Sequence, residues 1–173
     1  GYAATVQTTA PAVGAVSLSL DGHAHGGTHR LEATVGIAGT RATARGTLAL
    51  DGSMVDAEVK ATSDLALLGR QLGMSVGGMA TVAGVVRGPL AAPTVAVSMD
   101  VAAPSYGTNR LQRVVVAAAV EPAADAVRAN VTRLVATPLR GAAWGLVAPT
   151  TLTMGRTITL GPATLTSVDG RVS

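Results

Sequence analysis

Three short passages of this chain bring together residue types that could do chemistry. Gly73-Met-Ser75-Val-Gly77 is a literal G-x-S-x-G, the pattern that turns a serine on a strained elbow into a nucleophile. That use needs a strand before the serine, a helix after it, and an acid followed by a histidine further along. Here a helix-like stretch precedes Ser75, a strand-like stretch follows, and His23, His25 and His29 all lie upstream. The passage is read as a glycine-rich turn. Asp21-Gly-His-Ala-His-Gly-Gly-Thr-His29 gathers three imidazoles within seven residues, and histidine is the commonest metal ligand. A zinc site also wants a fourth ligand and an outer shell of orienting groups, which a hairpin tip does not offer. These histidines are read as solvated, with no metal. Asp56 and Glu58 are neighbours on a wet strand face instead of an acid–base pair, and Asn130-Val-Thr132 matches a glycosylation acceptor only by chance spacing. The sequence predicts no enzyme and no cofactor.

The composition says what must hold these passages. Of 173 residues, 48% are hydrophobic, yet Phe is absent, Trp occurs once and Tyr twice. Alanine (33 residues) and valine (23) dominate the apolar set. Aromatic rings normally bury ~150–250 Å² each and fill cores, so a thick core here lacks bulk. The material suits a thin or open apolar surface. Basic residues exceed acidic by 13 to 10, twelve of the 13 being arginines scattered along the chain with almost no aromatics between them. That pattern excludes a nucleic-acid binder. With no cysteine there is no disulfide framework, and no apolar run reaches the ~18–20 residues that span a bilayer. The chain opens at Gly1 without Met and reads as an excised segment, so that any anchor or address is expected to lie outside it.

The dominant rhythm is period two. Val55, Ala57 and Val59 alternate with Asp56, Glu58 and Lys60; Val95, Val97, Met99 and Val101 alternate with Thr94, Ala96, Ser98 and Asp100. Leu31, Ala33, Val35 and Ile37 behave alike, as do Leu18 and Leu20, Leu48 and Leu50, Val127 to Val131, and Ile158 and Leu160. Strict alternation predicts a sheet with one apolar and one wet face. Val114 and Val116 belong to the run 111–120, where both faces are apolar and the inward parity stays open. Asp-Gly at 21–22, 51–52 and 169–170 predicts hairpin turns, and Gly26-Gly27, Gly77-Gly78 and a loop around Pro104-Ser105 predict further breaks. Ser63 or Asp64 can cap a single short helix near 64–72, with Leu65, Leu68 and Leu72 on one side. Ten to twelve strands are expected elsewhere, with loop or frayed edge at 1–14 and 121–126. Trp144, one large ring among small aliphatics, is expected to close a sheet end or a strand crossing.

Three passages carry a family resemblance. Residues 64–95 run Asp-Leu-Ala-Leu-Leu, then Val76-Gly-Gly-Met-Ala, then Gly84-Val-Val-Arg-Gly-Pro-Leu-Ala-Ala-Pro93-Thr-Val. Residues 144–172 run Trp-Gly-Leu-Val-Ala-Pro149, Ile158-Thr-Leu-Gly-Pro-Ala-Thr-Leu165 and Asp169-Gly-Arg-Val. Residues 28–51 contribute Thr-His-Arg-Leu and Arg-Gly-Thr-Leu-Ala-Leu-Asp. In order and rhythm, across roughly half the chain, they resemble the AsmA-like family of translocation and assembly proteins. The resemblance implies an all-β fold, a β-taco: a curled antiparallel sheet forming an open apolar groove. It implies one segment, residues 1–173, of a longer periplasmic array, divisible into sub-modules 1–62 and 63–173. It implies an inner-membrane-anchored protein that carries phospholipids between membranes and meets an Omp85-type outer-membrane barrel. An older assignment of that family is assembly of autotransporters and outer-membrane proteins.

The residues themselves lead toward the same expectation. A one-sided apolar sheet must hide its face, and one short helix cannot cover it. Phospholipid acyl chains would then complete the core. The candidate lining is Leu18, Leu20, Leu31, Val35, Ile37, Leu48, Leu50, Val55, Val59, Val95, Val97, Met99, Val101, Val114, Val116, Val127, Val131, Ile158 and Leu160. Two alternatives keep the all-β reading: a chaperone-like module that pairs its sheet edge with nascent strands, and a closed, dry β-solenoid of an adhesin or passenger domain.

Overall fold

A computed structural model describes residues 1–10, 14–37, 39–71, 73–123, 126–155 and 157–168, apart from the side chains of 2, 6–10, 14–16, 18 and 20. The chain is a meander of antiparallel strands. In order they are β1 (Tyr2–Ala10), β2 (Gly14–His25), β3 (Thr28–Ile37), β4 (Thr40–Ala49), β5 (Met54–Asp64), β6 (Val76–Pro89), β7 (Thr94–Tyr106), β8 (Asn109–Ala123) and β9 (Ala126–Pro138). Four short strands follow: β10 (Ala143–Leu146), β11 (Thr150–Met154), β12 (Ile158–Leu160) and β13 (Leu165–Val168). A helix, α1 (Leu65–Gln71), stands between β5 and β6. All thirteen strands form one sheet, each of β1 to β9 pairing with its sequence neighbour. Beyond β9 the sheet forks, β10 and β11 both pairing with β9, β10 leading on to β13 and β11 to β12. The sheet is curled and does not close.

Long unbroken registers explain how so large a sheet forms. β3 pairs with β4 over ten residues, Thr28↔Ala49 to Ile37↔Thr40, and β5 pairs with β6 over eleven, Met54↔Pro89 to Asp64↔Met79. A slip of one residue would turn every side chain to the wrong face, so the alternation itself pins these registers. Cross-strand charges on the wet face act in the same sense. Arg45 meets Glu32 at 2.7 Å, Arg87 meets Asp56 at 3.3 Å, and Arg128 lies 3.9 Å from Glu121. The Arg113 Nε donates to both carboxylate oxygens of Asp100, at 2.9 and 3.1 Å. All four pairs are exposed and contribute little stability each.

Irregularities sit where the chain bends. In β7 the pairing passes from Gly77↔Ser105 to Met79↔Ala102, so Ala103 and Pro104 oppose the single residue Gly78. Ala103 lies at φ 48 and Gly78 at φ 119. A β-bulge of this kind sharpens twist and accommodates a proline that cannot donate to the ladder. Two further bulges interrupt β8–β9, at Leu111/Arg113 and Ala117/Ala118. At the start of α1 the Asp64 carboxylate accepts from Ala66 N–H at 2.9 Å and Leu67 N–H at 3.2 Å. That is the cap expected from the sequence, and the helix covers 65–71 within the expected 64–72.

The structure corrects several expectations. Asp21-Gly22 is no turn: Gly22 is buried within β2, opposite Leu31, and the chain reverses at Gly26-Gly27, both at positive φ. Two consecutive glycines supply the left-handed pair a two-residue hairpin needs, so the strand runs on through Asp-Gly to reach them. His23 and His25 therefore end a strand. The expected loop at 1–14 contains β1 and the start of β2, and 121–123 and 126 extend β8 and β9. β1 pairs with β2 from Tyr2↔Gly22 to Ala10↔Gly14, and the β8–β9 ladder runs on from Glu121↔Arg128 to Ala123↔Ala126. The breaks expected at Gly77-Gly78 and around Pro104-Ser105 are instead the bulge between β6 and β7. Asp51-Gly52 does turn, with Ser53 N–H and Oγ both donating to the Asp51 carboxylate. Asp169-Gly170 lies outside the described residues. Thirteen strands replace the expected ten to twelve, the excess lying in the short strands after 143.

Two outcomes follow. A Cβ on Gly78 would stand 2.8 Å from the Ala102 carbonyl oxygen, whereas one on Gly88, also at positive φ, would meet nothing within 4 Å. Gly88→Ala should cost about 1 kcal/mol in urea unfolding and Gly78→Ala at least about 2 kcal/mol; equal losses would refute the tight bulge. The hydrogen bonds from Arg113 hold the Asp100 carboxyl below its usual range. A depressed folded-state value stabilises the fold above the ordinary carboxylate range, and that stabilisation fades as acid protonates the group. The melting temperature of Arg113→Gln should fall below wild type at neutral pH, with the gap closing as pH drops below about 4. A gap unchanged in strong acid would remove this pair from the account.

Candidate functional site

Residues directly opposite in an antiparallel ladder project from the same side of the sheet, so registers can be followed from strand to strand. Leu31, Val35 and Ile37 of β3 lie opposite Gly46, Ala42 and Thr40 of β4. Ala42, Ala44 and Leu48 lie opposite Ala61, Val59 and Val55 of β5. These continue to Val82, Gly84 and Gly88 of β6, then from Val82 and Gly84 to Met99 and Val97 of β7. Val95, Val97, Met99 and Val101 in turn face Val120, Ala118, Val116 and Val114 of β8. From there the track reaches Ala129, Val131, Leu134 and Ala136 of β9. Ala129 and Val127 lead to Leu152 and Met154 of β11, and these to Leu160 and Ile158 of β12.

One face therefore runs unbroken from β3 to β12 and, among the described residues, carries no Asp, Glu, Lys or Arg. Its polar members are few. His29 stands near one strand end, and the Thr40 and Ser63 hydroxyls bond each other at 2.7 Å. Thr150 is buried, with its hydroxyl unpaired among the described residues. Every candidate lining residue from Leu31 onward lies on this face except Leu50. Leu50 falls in the β4–β5 turn, beyond the ladder, and is 53% exposed. The side chains of Leu18 and Leu20 lie outside the described residues, though their backbones pair with Val35 and Ala33. Val114 and Val116 share the face with Met99, which settles the parity of 111–120. Alternation alone missed Val82, Val86, Leu134, Leu152 and Met154, because β6 carries glycines between its valines and β9 shifts phase at Thr132.

Almost nothing covers this face. Apart from α1 lying against β5 and β6, every substantial contact between elements joins ladder neighbours. Among the described residues the buried apolar side chains are Ala80, Val101, Ala129 and Ala143, and no large side chain is fully buried. The accessible surface is 11325 Å², against about 7,800 Å² for a compact protein of this mass. The apolar residues of β5 are half-buried all the same, in strict alternation with exposed Asp56, Glu58 and Lys60. Their shelter comes from neighbouring strands within the curled sheet, since no second layer supplies it among the described residues. The opposite face is wet at its margins but not at its centre. There, Ala83, Val85, Ala96, Ala117 and Ala119 floor a shallow depression of about 590 Å³ with Glu58 and Lys60 at one end.

The other candidate passages stay apart. Ser75 lies between α1 and β6, its carbonyl accepting from Gly107 N–H at 2.9 Å. The histidines stand at the other ends of the strands, around the β2–β3 hairpin. No group of three metal-ligating side chains occurs among the described residues, and among them no helix is long and apolar enough to cross a membrane. Trp144 is placed by β10 opposite Ala136 and is 51% exposed. Lying on the same side as Ala136, it extends the apolar surface at the fork and stays half open to solvent instead of closing a sheet end or a crossing. No protein-family model, curated protein or solved structure matches this chain.

Proposed function

We propose that this protein is a non-catalytic segment of a phospholipid conduit, in which acyl chains lie along the apolar face. The observation that carries the reading is the face running from β3 to β12, which among the described residues bears no charge and has no covering layer. Water on so much apolar surface is costly, at roughly 25 cal/mol per Å², and an occupant that brings its own methylenes relieves it. Each methylene transferred contributes about 0.8 kcal/mol. Valine and alanine form a wall with no deep pocket and no fixed hydrogen-bond partner for a ligand, so successive positions along it hold a chain about equally. That suits passage more than storage.

The resemblance to AsmA-like proteins supports the same reading and extends it. On that basis the segment belongs to a periplasmic bridge of the TamB type, anchored in the inner membrane by a part outside this sequence and meeting an Omp85-type barrel. The antiparallel meander gives no support to a parallel β-solenoid.

Native mass spectrometry of the protein purified from a bacterial host should show phospholipid adducts. Val97→Asp and Met99→Arg place a charge on the apolar face and should reduce bound lipid about tenfold or more. Ser98→Asp, between them on the opposite face, should leave binding intact, and circular dichroism should show the sheet in all three. Undiminished lipid in Val97→Asp would overturn the reading, as would peptide in place of lipid.

A further inference from the structure

The strand ends form two rims along the curled sheet, and their charges differ. One rim carries the turns after β2, β4, β6 and β8. There Arg30, Arg87 and Arg128 are accompanied by Asp51, Asp56 and Glu121. The other rim carries the β3–β4 turn, α1, the β7–β8 turn and the β9–β10 connection. It bears Arg41, Arg70, Arg110 and Arg140, all exposed, and none has a carboxylate partner among the described residues. The acid at this rim, Asp64, is occupied in capping α1. At about 4.8 Å per strand the row from β4 to the β9–β10 connection extends about 25 Å along the sheet. Large apolar side chains stand exposed beside it: Leu67 and Met74 near Arg70, Tyr106 (67% exposed) near Arg110, and Leu139 (64% exposed) next to Arg140.

We infer that this rim holds the head groups of anionic phospholipids whose tails lie on the apolar face, an inference that rests on the conduit reading. Two chemistries meet there. Guanidinium groups pair with phosphate through parallel hydrogen bonds. Tyrosine and exposed aliphatics next to cations form the mixed surface that settles where hydrocarbon gives way to head group. A soluble polyanion would use the arginines and leave Leu67, Met74, Tyr106 and Leu139 in water. A lipid uses both. The balanced opposite rim has no comparable attraction, so head groups collect on one side and the tails turn inward across the sheet.

The test compares loading from vesicles of phosphatidylcholine with loading from vesicles in which about a third of the lipid is phosphatidylglycerol. Bound lipid is quantified by mass spectrometry for wild type, for Arg41→Gln/Arg70→Gln/Arg110→Gln/Arg140→Gln, and for Val97→Asp. Wild type should prefer phosphatidylglycerol, each arginine accounting for up to about fivefold, and the preference should weaken between ~0.05 M and ~0.5 M salt. The quadruple variant, checked for an unchanged melting temperature, should load both lipids equally. Val97→Asp should load neither. Preference kept by the quadruple variant would overturn the rim assignment while the groove reading stands. Wild type that loads neither lipid would overturn the groove reading and this inference with it. Heparin binding by wild type that the quadruple substitution abolishes, without any change in lipid preference, would reassign the row to a soluble polyanion.

Discussion

Hydrogen bonding between neighbouring strands is what holds this protein in shape. A domain of this size ordinarily rests on a core in which large side chains from two layers interlock, whereas here the described residues include no large side chain that is fully buried. The strands are long instead, with ten or eleven consecutive pairs in the central ladders. Each cross-strand pair contributes ~0.2–1 kcal/mol, and the meander adds them in series. The consequence is a molecule whose apolar surface is ordered yet not consumed by its own folding. A sheet stabilised by a second layer would have no face left to offer.

The alternation that builds such a sheet is legible wherever the two faces differ in polarity. Val55 to Lys60 and Thr94 to Val101 can be assigned from their residues alone because, Ala96 apart, a charged or hydroxylated side chain stands at every second place. At 111–120 valines and alanines occupy both parities, and only the pairing of Val101 with Val114 fixes which side is which. Around 132 an inserted residue in β9 moves Leu134 and Ala136 onto the face that Val131 occupies, a phase shift that no periodic template anticipates. The turn expected at Asp21-Gly22 failed for a related reason. Asp-Gly permits a reversal without compelling one, and a glycine pair four residues later permits it as well.

The arginines show a deeper limit of the linear view. In sequence they are scattered, and Arg41, Arg70, Arg110 and Arg140 stand roughly thirty to forty residues apart. That interval is close to the length of two strands with their turns, so an antiparallel meander returns each to the same rim. Spacing that looks diffuse along the chain becomes a row once the topology is known. The absence of a basic block argued against a nucleic-acid footprint, but it held no information about a rim.

The small size of the apolar residues follows from the same geometry. Neighbouring strands crowd the side chains on this face, and alanine, valine and glycine fit there where phenylalanine would force the strands apart. Gly46, Gly84 and Gly88 all fall on the apolar track between β4 and β6, and a Cβ on Gly46 would stand only 2.6 Å from the Ala57 Cα. Bulky residues are displaced to the margins, where Leu50, Leu90, Tyr106, Leu139 and Ile158 are more than half exposed. The composition that argued against a thick globular core is thus the one an open curved wall requires: small side chains along the floor, large ones and cations at the edge. On the conduit reading proposed above, an acyl chain lying on that floor would meet no aromatic ridge to step over, and its phosphate would meet charge only where the hydrocarbon ends.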